Sequence, residues 1–390
     1  MTVWDEVVGQ DASVDVLQAA VRSANEVLAG RPGPGMTHAW LFTGPPGSGR
    51  SVAARAFAAA LQCERQGCGT CHACRTVLAG THADVHVVAT ERLIITIQEA
   101  RSLVQTAHRH PSQGRWRVVL VEDADRMVER TSNVLLKSVE EPPERTVWML
   151  CAPSAEDIVP TIRSRCRSVR LRVPPVQAVA DLLVQRDGVD RAMASFAARA
   201  AQSHIGLARR LARDEGARIR RQEVLRIALS VSDVAGAVVQ AGNLVEVATD
   251  EATAATEERN ATERAALLHS LGADAASPTL PPALRSQLKA LEDDQKRREK
   301  RLRLDVLDRA LLDLLSVYRD VLVLQVGADV DVVNAELRQD LERLAERWRP
   351  EQTLQRIEAI GRTRADIAEF PNANLLLAVE SLALRLVAAS

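Results

Sequence analysis

Aromatic residues make up only 3% of this 390-residue chain, and there is a single tyrosine. Holding single-stranded bases by stacking needs a platform of exposed rings, so that class of function is not expected. Neither sign of charge is in excess: 50 Lys and Arg stand against 51 Asp and Glu, for a net charge of −1. A protein that holds DNA by itself needs a basic surface to neutralise phosphates, and only a local patch could supply one here. No stretch reaches the run of ~20 apolar residues that a membrane helix requires. The opening residues Met1-Thr2-Val3-Trp4-Asp5-Glu6 lack the basic region and apolar core of a secretion signal. The expectation is a cytoplasmic protein without membrane attachment that works largely through other proteins. The six cysteines do not suit a disulfide framework in a cytosolic chain of this size.

Hydrophobic residues, at 46%, suffice for real cores, and the length exceeds what one core ordinarily serves, so two or three domains are expected. Up to about residue 170, strands alternate with helices. Short apolar runs at His38–Thr43, Arg117–Val121 and Thr146–Cys151 read as buried strands. That alternation predicts an α/β layer around a parallel sheet. Pro174-Pro175 breaks the chain, and everything beyond reads as helix. Gln177–Arg213 is short and rich in Ala, Leu and Arg, suiting a small helical lid. Farther on, Leu304, Leu307, Leu311, Leu314, Tyr318 and Val321 recur at three- and four-residue steps, as do Leu375, Val379, Leu382 and Leu386. Each set is one apolar helix face. Ahead of them, Thr249–Arg264 is mixed, Ser277–Pro282 resembles a turn or linker, and Asp293–Arg303 is charged almost throughout. Residues 245–300 read as a helical excursion. The run Lys296–Arg303 reads as a solvated face, with phosphate contact as the alternative.

Three constellations carry chemistry. Gly44-Pro45-Pro46-Gly47-Ser48-Gly49-Arg50-Ser51 follows a strand and opens an Ala-rich helix over Val52–Leu61, the context of a phosphate-binding loop. Its backbone amides and the helix N-terminus form an anion cradle. The pattern calls for Lys where Arg50 stands, and a planar guanidinium does not replace a compact ammonium between phosphates. A loop that keeps its shape without holding a productive nucleotide is the favoured reading, which leaves ATP binding doubtful. The strand Val118–Val121 ends in Glu122-Asp123. Carboxylates there would hold Mg²⁺ and poise a water, yet the usual order is Asp then Glu. Misplacements of about 1 Å at a reacting centre cost on the order of 100-fold in rate. Finally, Cys63, Cys68, Cys71 and Cys74 can close a tetrahedral sulfur shell around a structural Zn²⁺. An iron–sulfur cluster would use the same ligands, and unrelated free thiols are the bland alternative. Cys151 and Cys166 lie outside this group and read as buried thiols.

These pieces occur in a familiar order. Trp4-Asp5-Glu6-Val7-Val8-Gly9-Gln10, the Gly44–Ser51 loop, the four cysteines, Thr81-His82-Ala83-Asp84, the strand ending at Asp123, Asn133–Pro143 with its Leu-Leu-Lys and Glu-Glu-Pro-Pro, and Ser164-Arg165-Cys166 together resemble bacterial clamp-loader AAA+ subunits of DNA polymerase III, the gamma/tau and delta-prime group. The likeness is dense over residues 1–170 and returns weakly at Asn372-Ala373-Asn374-Leu375. It implies an AAA+ parallel-sheet module with a zinc-binding insertion over 1–172, a helical lid over 173–215 and an all-α collar over 216–390. Gamma/tau subunits hydrolyse ATP and delta-prime subunits generally do not. This chain departs from the active pattern at Arg50 and at Glu122-Asp123. It departs again at Ala152 or Pro153, where a sensor Thr or Asn is expected, and at Gly206, where a second-sensor Arg would stand with Arg209 nearby. The delta-prime branch fits best. The implied role is a non-hydrolysing member of a hetero-pentameric ring with delta and gamma/tau subunits. That ring opens the beta sliding clamp and places it on primed DNA. Arg165 is implied to reach the γ-phosphate held by a neighbour; tying a strand end to the sheet is its bland alternative. An ATP-hydrolysing loader subunit and a AAA+ remodelling protein outside replication are the rival readings.

Overall fold

Strands form where β-branched and aromatic residues run together, and in the computed structural model they pair into one parallel sheet. The structure describes residues 2–90, 94–230, 233–270 and 282–388. The chain forms two compact units, Met1–Arg213 and Asp214–Ser390. The first unit runs α1 (Asp11–Leu28), β1 (Ala39–Thr43), α2 (Arg50–Gln62), α3 (His72–Leu78), β2 (Val85–Val88), α4 (Ile97–Ala107), β3 (Arg117–Val121), α5 (Glu129–Glu140), β4 (Thr146–Ala152), α6 (Pro160–Arg163), β5 (Arg167–Arg170), α7 (Val176–Asp187), α8 (Arg191–Ala200) and α9 (Ile205–Arg213). Its strand order is β2-β3-β4-β1-β5, every neighbouring pair parallel.

Both faces of the sheet are covered, so the central strands alternate between two apolar layers rather than between oil and water. Trp40, Phe42, Val118, Leu120, Val147, Met149 and Cys151 pack with α1 and α2 on one face. Leu41, Val119, Val121, Trp148 and Leu150 pack with α4 and α5 on the other. Helix α2 lies close on the sheet because its contact face is alanine: Ala53, Ala54, Ala56, Ala58, Ala59 and Ala60 are all buried. The ring of Phe57 meets Trp40 edge-on, with centroids 5.0 Å apart.

The apolar runs predicted as strands are β1, β3 and β4. Two further strands, β2 and β5, lie at the sheet edges where no apolar run announces them, and in β5 only Val169 is buried. The helix after the loop begins earlier than Val52 and ends later than Leu61. Cys151 is buried as expected, whereas Cys166 is only half-buried because it follows the exposed turn at Ser164 and Arg165.

The second unit is helical: α10 (Glu215–Ser230), α11 (Val234–Ser270), α12 (Pro282–Val326), α13 (Arg338–Arg347), α14 (Pro350–Glu369) and α15 (Leu375–Ala388). Every member of the two leucine-rich stripes is buried. Of the excursion at 245–300, residues 245–270 lie in α11 and residues 282–300 in α12, and the stretch between lies outside the described residues. Of the Ser277–Pro282 stretch, Pro282 opens α12 and the remainder lies outside the described residues. A buried polar knot joins α12 to the segment before α13. Asp320, fully buried, accepts hydrogen bonds from the amides of Val333 (2.9 Å) and Asn334 (2.7 Å). No helix among the described residues is long and apolar enough to cross a membrane.

Candidate functional site

The loop Gly44–Gly49 leaves the end of β1 and turns directly into α2. Gly49, the N-cap, has φ +83° and Gly47 φ +85°, a region that favours residues without Cβ. At Gly47 there is a second reason: a Cβ would come 2.8 Å from the Cα of His204, just ahead of α9. Gln10 anchors the loop from outside the motif. Its amide nitrogen donates to the carbonyls of Ser48 (3.2 Å) and Arg172 (2.6 Å), and its oxygen accepts from the Arg172 amide at 3.0 Å. The cradle expected from the glycine pattern is therefore present in shape.

Its charges are arranged differently. A cleft of about 630 Å³ opens over the loop, lined also by Ser51, Arg55, Glu122, Arg186, Gly206 and Arg209. The Arg50 guanidinium turns back and donates to the carbonyl of Gly44. Arg55 Nε donates to Glu122 Oε1 at 2.7 Å. Arg186, Arg209 and Arg213 converge on the carboxylate of Asp187, each at 3.0 Å. Burial works against that carboxylate, but the three guanidinium groups more than offset it and hold its pKa below the ordinary value. Each arginine lining the cleft thus already has a partner within the protein. Asp123 Oδ2 accepts from the Thr90 amide at 3.2 Å. Ala152 ends β4 as a buried alanine with no polar side chain to offer, and the Pro153 carbonyl accepts from the Gly44 amide at 3.2 Å. Gly206 does line the cleft, as does Arg209.

The four cysteines meet on the far end of α2. Cys63 follows its last turn, Cys71 is the N-cap of α3, and Cys74 lies in that helix. All four sulfurs lie within 4.8 Å of one another, and Cys63 Sγ is 3.7 Å from both Cys68 Sγ and Cys71 Sγ. A disulfide needs about 2.05 Å, whereas Zn–S bonds of ~2.3 Å in a tetrahedron put sulfurs about 3.8 Å apart. The donor set and its spacing therefore fit a tetrahedral dication. Backbone amides support the sulfurs: Cys68 N donates to Cys63 Sγ (3.5 Å), Cys71 N to Cys68 Sγ (3.4 Å) and Cys74 N to Cys71 Sγ (3.4 Å). The Thr70 hydroxyl, with the amides of Thr70 and Cys71, draws the Cys68 thiol down to about 5, while burial pushes Cys74 up. The knuckle packs on the chain start, where Val3 N donates to the Gly67 carbonyl at 3.0 Å and Trp4 Nε1 to the Gln66 carbonyl at 3.3 Å.

Arg165 stands apart from both sites, exposed in the turn between α6 and β5. Its guanidinium donates to Glu140 Oε1 at 3.0 Å and to the Thr161 carbonyl at 2.8 Å. The Glu-Glu-Pro-Pro and Ser-Arg-Cys motifs, 25 residues apart, are thereby brought side by side.

Several residues beyond the sequence-derived site do structural work there. Asp84 is fully buried and accepts from the amides of Ser112 (2.8 Å) and Gln113 (2.7 Å), and from that of Gly114. Arg117 Nη2 lies 3.1 Å away. Burial alone would raise this carboxyl, but the amides win and hold it at about 2. Gln10 and Asp84 sit inside quoted motifs, so a signal existed. Arg55 and Asp187 had none, because only the fold brings Arg55 to the cleft and Asp187 to the arginines that line it.

Two family descriptions match this chain: "DNA polymerase III, delta subunit" over residues 33–175 and "DNA polymerase III, delta subunit, C terminal" over residues 261–387. The delta-prime subunit of Yersinia pestis DNA polymerase III is 37% identical over 135 residues, 33% of this chain and 40% of that protein. The Escherichia coli delta-prime subunit is 34% identical over 146 residues, 36% of this chain and 44% of that protein. The Mycobacterium tuberculosis gamma/tau subunit is 32% identical over 185 residues, 46% of this chain and 30% of that one. The chain thus spans less than half the length of these curated relatives.

Proposed function

We propose, on the premise that this chain belongs to the family of DNA polymerase III clamp-loader subunits of the delta-prime type, that it serves its loader without hydrolysing ATP itself. In this reading the Met1–Arg213 unit comprises a AAA+ module and a helical lid, and the helices beyond form a collar. The chain takes its place in a hetero-pentameric ring with delta and gamma/tau subunits, helping to open the beta clamp and set it on primed DNA.

The observation that carries the reading is the contrast between the cleft and Arg165. Arg50, Arg55, Arg186 and Arg209 each engage a protein acceptor, so an incoming triphosphate would have to break those pairs before finding a cation. The Glu122 carboxylate, bound by Arg55, is likewise occupied. Arg165 is also paired, with Glu140, but it lies exposed outside that cleft, where a neighbour's nucleotide could take the place of Glu140. An arginine supplied in this way stabilises developing phosphoryl charge without any local nucleotide. Cys63, Cys68, Cys71 and Cys74 would hold Zn²⁺, which supplies a cross-link at the end of α2 and no open coordination position.

The test is ATP turnover by the loader reconstituted with clamp and primed DNA. Arg165→Ala is expected to leave zinc content and ring assembly unchanged while lowering turnover. Arginine fingers contribute on the order of 10³–10⁵ at their own site, so the loss summed over a ring with several sites is smaller. Arg165→Lys should rescue poorly, since an ammonium lacks the planar fork. A ring that assembles normally with Arg165→Ala and turns over at the wild-type rate leaves Arg165 only a structural role. Steady ATP hydrolysis by the pure wild-type subunit favours the rival enzyme reading instead.

A further inference from the structure

The distal half of α12 carries more positive charge than its surroundings neutralise. Between residues 282 and 303 there are eight basic and four acidic side chains. Three of the eight are matched by acids, and one of the four acids by an arginine of α11. Arg298 pairs with Glu263 at 2.6 Å, Arg264 of α11 with Glu292 at 2.7 Å, and Arg297 and Arg301 with Asp294 and Asp305, each at 3.5 Å. For Arg285, Lys289, Lys296, Lys300 and Arg303 no carboxylate oxygen lies within salt-bridge distance among the described residues. Of these five, Lys296, Lys300 and Arg303 come together: with Glu299 they line a cleft of about 180 Å³.

Glu299, the one acid in the cleft, has its Oε1 accepting from the Thr253 hydroxyl of α11 at 2.9 Å. The Lys300 ammonium reaches Asn372 Oδ1, in the segment leading into α15, at 2.5 Å. That contact is with a neutral amide, so the charge is oriented and not cancelled. Arg303 Nε is buried and has no hydrogen-bond acceptor, and a donor left so is costly unless something accepts from it. Residues four and seven apart share one helix face. At 1.5 Å rise per residue the three cations span about 10 Å along α12, close to the axial rise of three nucleotide steps of one strand at ~3.4 Å each.

We propose that Lys296, Lys300 and Arg303 form a docking site for the phosphate backbone of DNA. Two point-charge ammonium groups and one guanidinium fork suit phosphate oxygens, and the absence of aromatic residues in this cleft makes the contact independent of base sequence. The inference does not depend on Arg165 or on the state of the ATP cleft. It stands even if the non-hydrolysing reading fails.

The experiment is fluorescence anisotropy of the full chain with a labelled primed-template duplex, titrated across salt. The variant Lys296→Gln/Lys300→Gln/Arg303→Gln keeps good helix formers at each position, and thermal melting checks its fold. Arg338→Gln/Arg343→Gln, on α13, controls for general loss of positive charge. Three phosphate contacts contribute about 2.7 to the log–log salt slope, or about 40-fold in affinity between 50 and 200 mM. The triple variant should lose at least tenfold at the lower salt and flatten that slope by two to three, while the control keeps both. Lys296→Gln alone, at an exposed position, should flatten it by about one and serves if the triple variant is unstable. Inorganic phosphate should compete no better than chloride at equal ionic strength. The proposal is overturned by wild-type protein that does not bind the duplex at low salt, or by a triple variant with unchanged affinity and slope. It is also overturned if inorganic phosphate displaces DNA well beyond the ionic-strength effect, which would make the cleft a free-phosphate site.

Discussion

At the scale of single residues, the division between charge that is spent and charge that is available explains most of what the molecule can do. Arg50 illustrates the first. Its position in the loop suits a phosphate-binding cation, but its guanidinium is closed onto the Gly44 carbonyl. Arg50→Lys should therefore not restore ATP turnover to the isolated chain, because Arg55 still holds Glu122 and β4 still ends in Ala152. A coupled-enzyme ATPase assay checks this, and measurable turnover in that single variant would show the remaining departures to be tolerable. Asp84 illustrates charge spent on architecture. Its carboxylate gathers the Ser112–Gly114 amides and faces Arg117. Asp84→Asn should cost about 3 kcal/mol or more, since it leaves a buried guanidinium without its counter-charge; urea unfolding measures it. The folded-state pKa, about 2, lies below the ordinary aspartate value. This group's stabilisation is therefore complete above pH ~4 and is lost as pH falls towards 2. The wild type should lose stability across that window more steeply than Asp84→Asn does.

At the scale of elements, α2 joins two chemistries at its ends. Its N-terminus closes the phosphate-type loop, its alanine face lies against the sheet, and its C-terminus delivers Cys63 to the knuckle. The four sulfurs hold their spacing through backbone amides, and the knuckle is fastened to the chain start through Gly67. Zinc analysis should give about one ion per chain. Removal by a strong chelator should lower the melting temperature, and Cys71→Ser should weaken metal retention. Gly67 has φ +100°, and a Cβ there would lie 2.6 Å from Val3 Cγ2. Gly67→Ala should therefore destabilise by roughly 1–3 kcal/mol and loosen the Val3–Glu6 turn, read by calorimetry and by protease sensitivity at the N-terminus. If the variant melts with the wild type and keeps its zinc, the knuckle does not depend on this close approach.

At the scale of the whole molecule, each unit has its own core, and this has a consequence for folding. The sheet, its covering helices, the four-cysteine knuckle and α7–α9 all lie within Met1–Arg213. A fragment ending at Arg213 should therefore be soluble, cooperative in thermal unfolding and loaded with zinc. Circular dichroism and metal content check this, and a fragment without a cooperative melt would show that its core is incomplete.

Much of the architecture was legible because it is written in short-range patterns. Cysteine spacing names its own ligand shell, and apolar runs such as Val118–Val121 mark buried strands. Leucines at helical steps mark the faces of α12 and α15, since each such pattern repeats within one element. The edge strands β2 and β5 escaped notice because an edge strand need not be apolar on both faces. The Lys296–Arg303 run could be read as solvated or as phosphate-binding, because sequence does not say which acids will face which bases. Only the tertiary structure decided that Glu263 and Glu292 match the neighbouring arginines and leave Lys296, Lys300 and Arg303 unmatched. The same holds for Gln10 bonding Arg172, 162 positions away, and for the pairing of Arg165 with Glu140. The physical reason is that hydrogen bonds and ion pairs form between whatever groups the folded chain brings within about 3 Å. Local sequence sets which elements form, and only the path of the chain through them sets which charges meet.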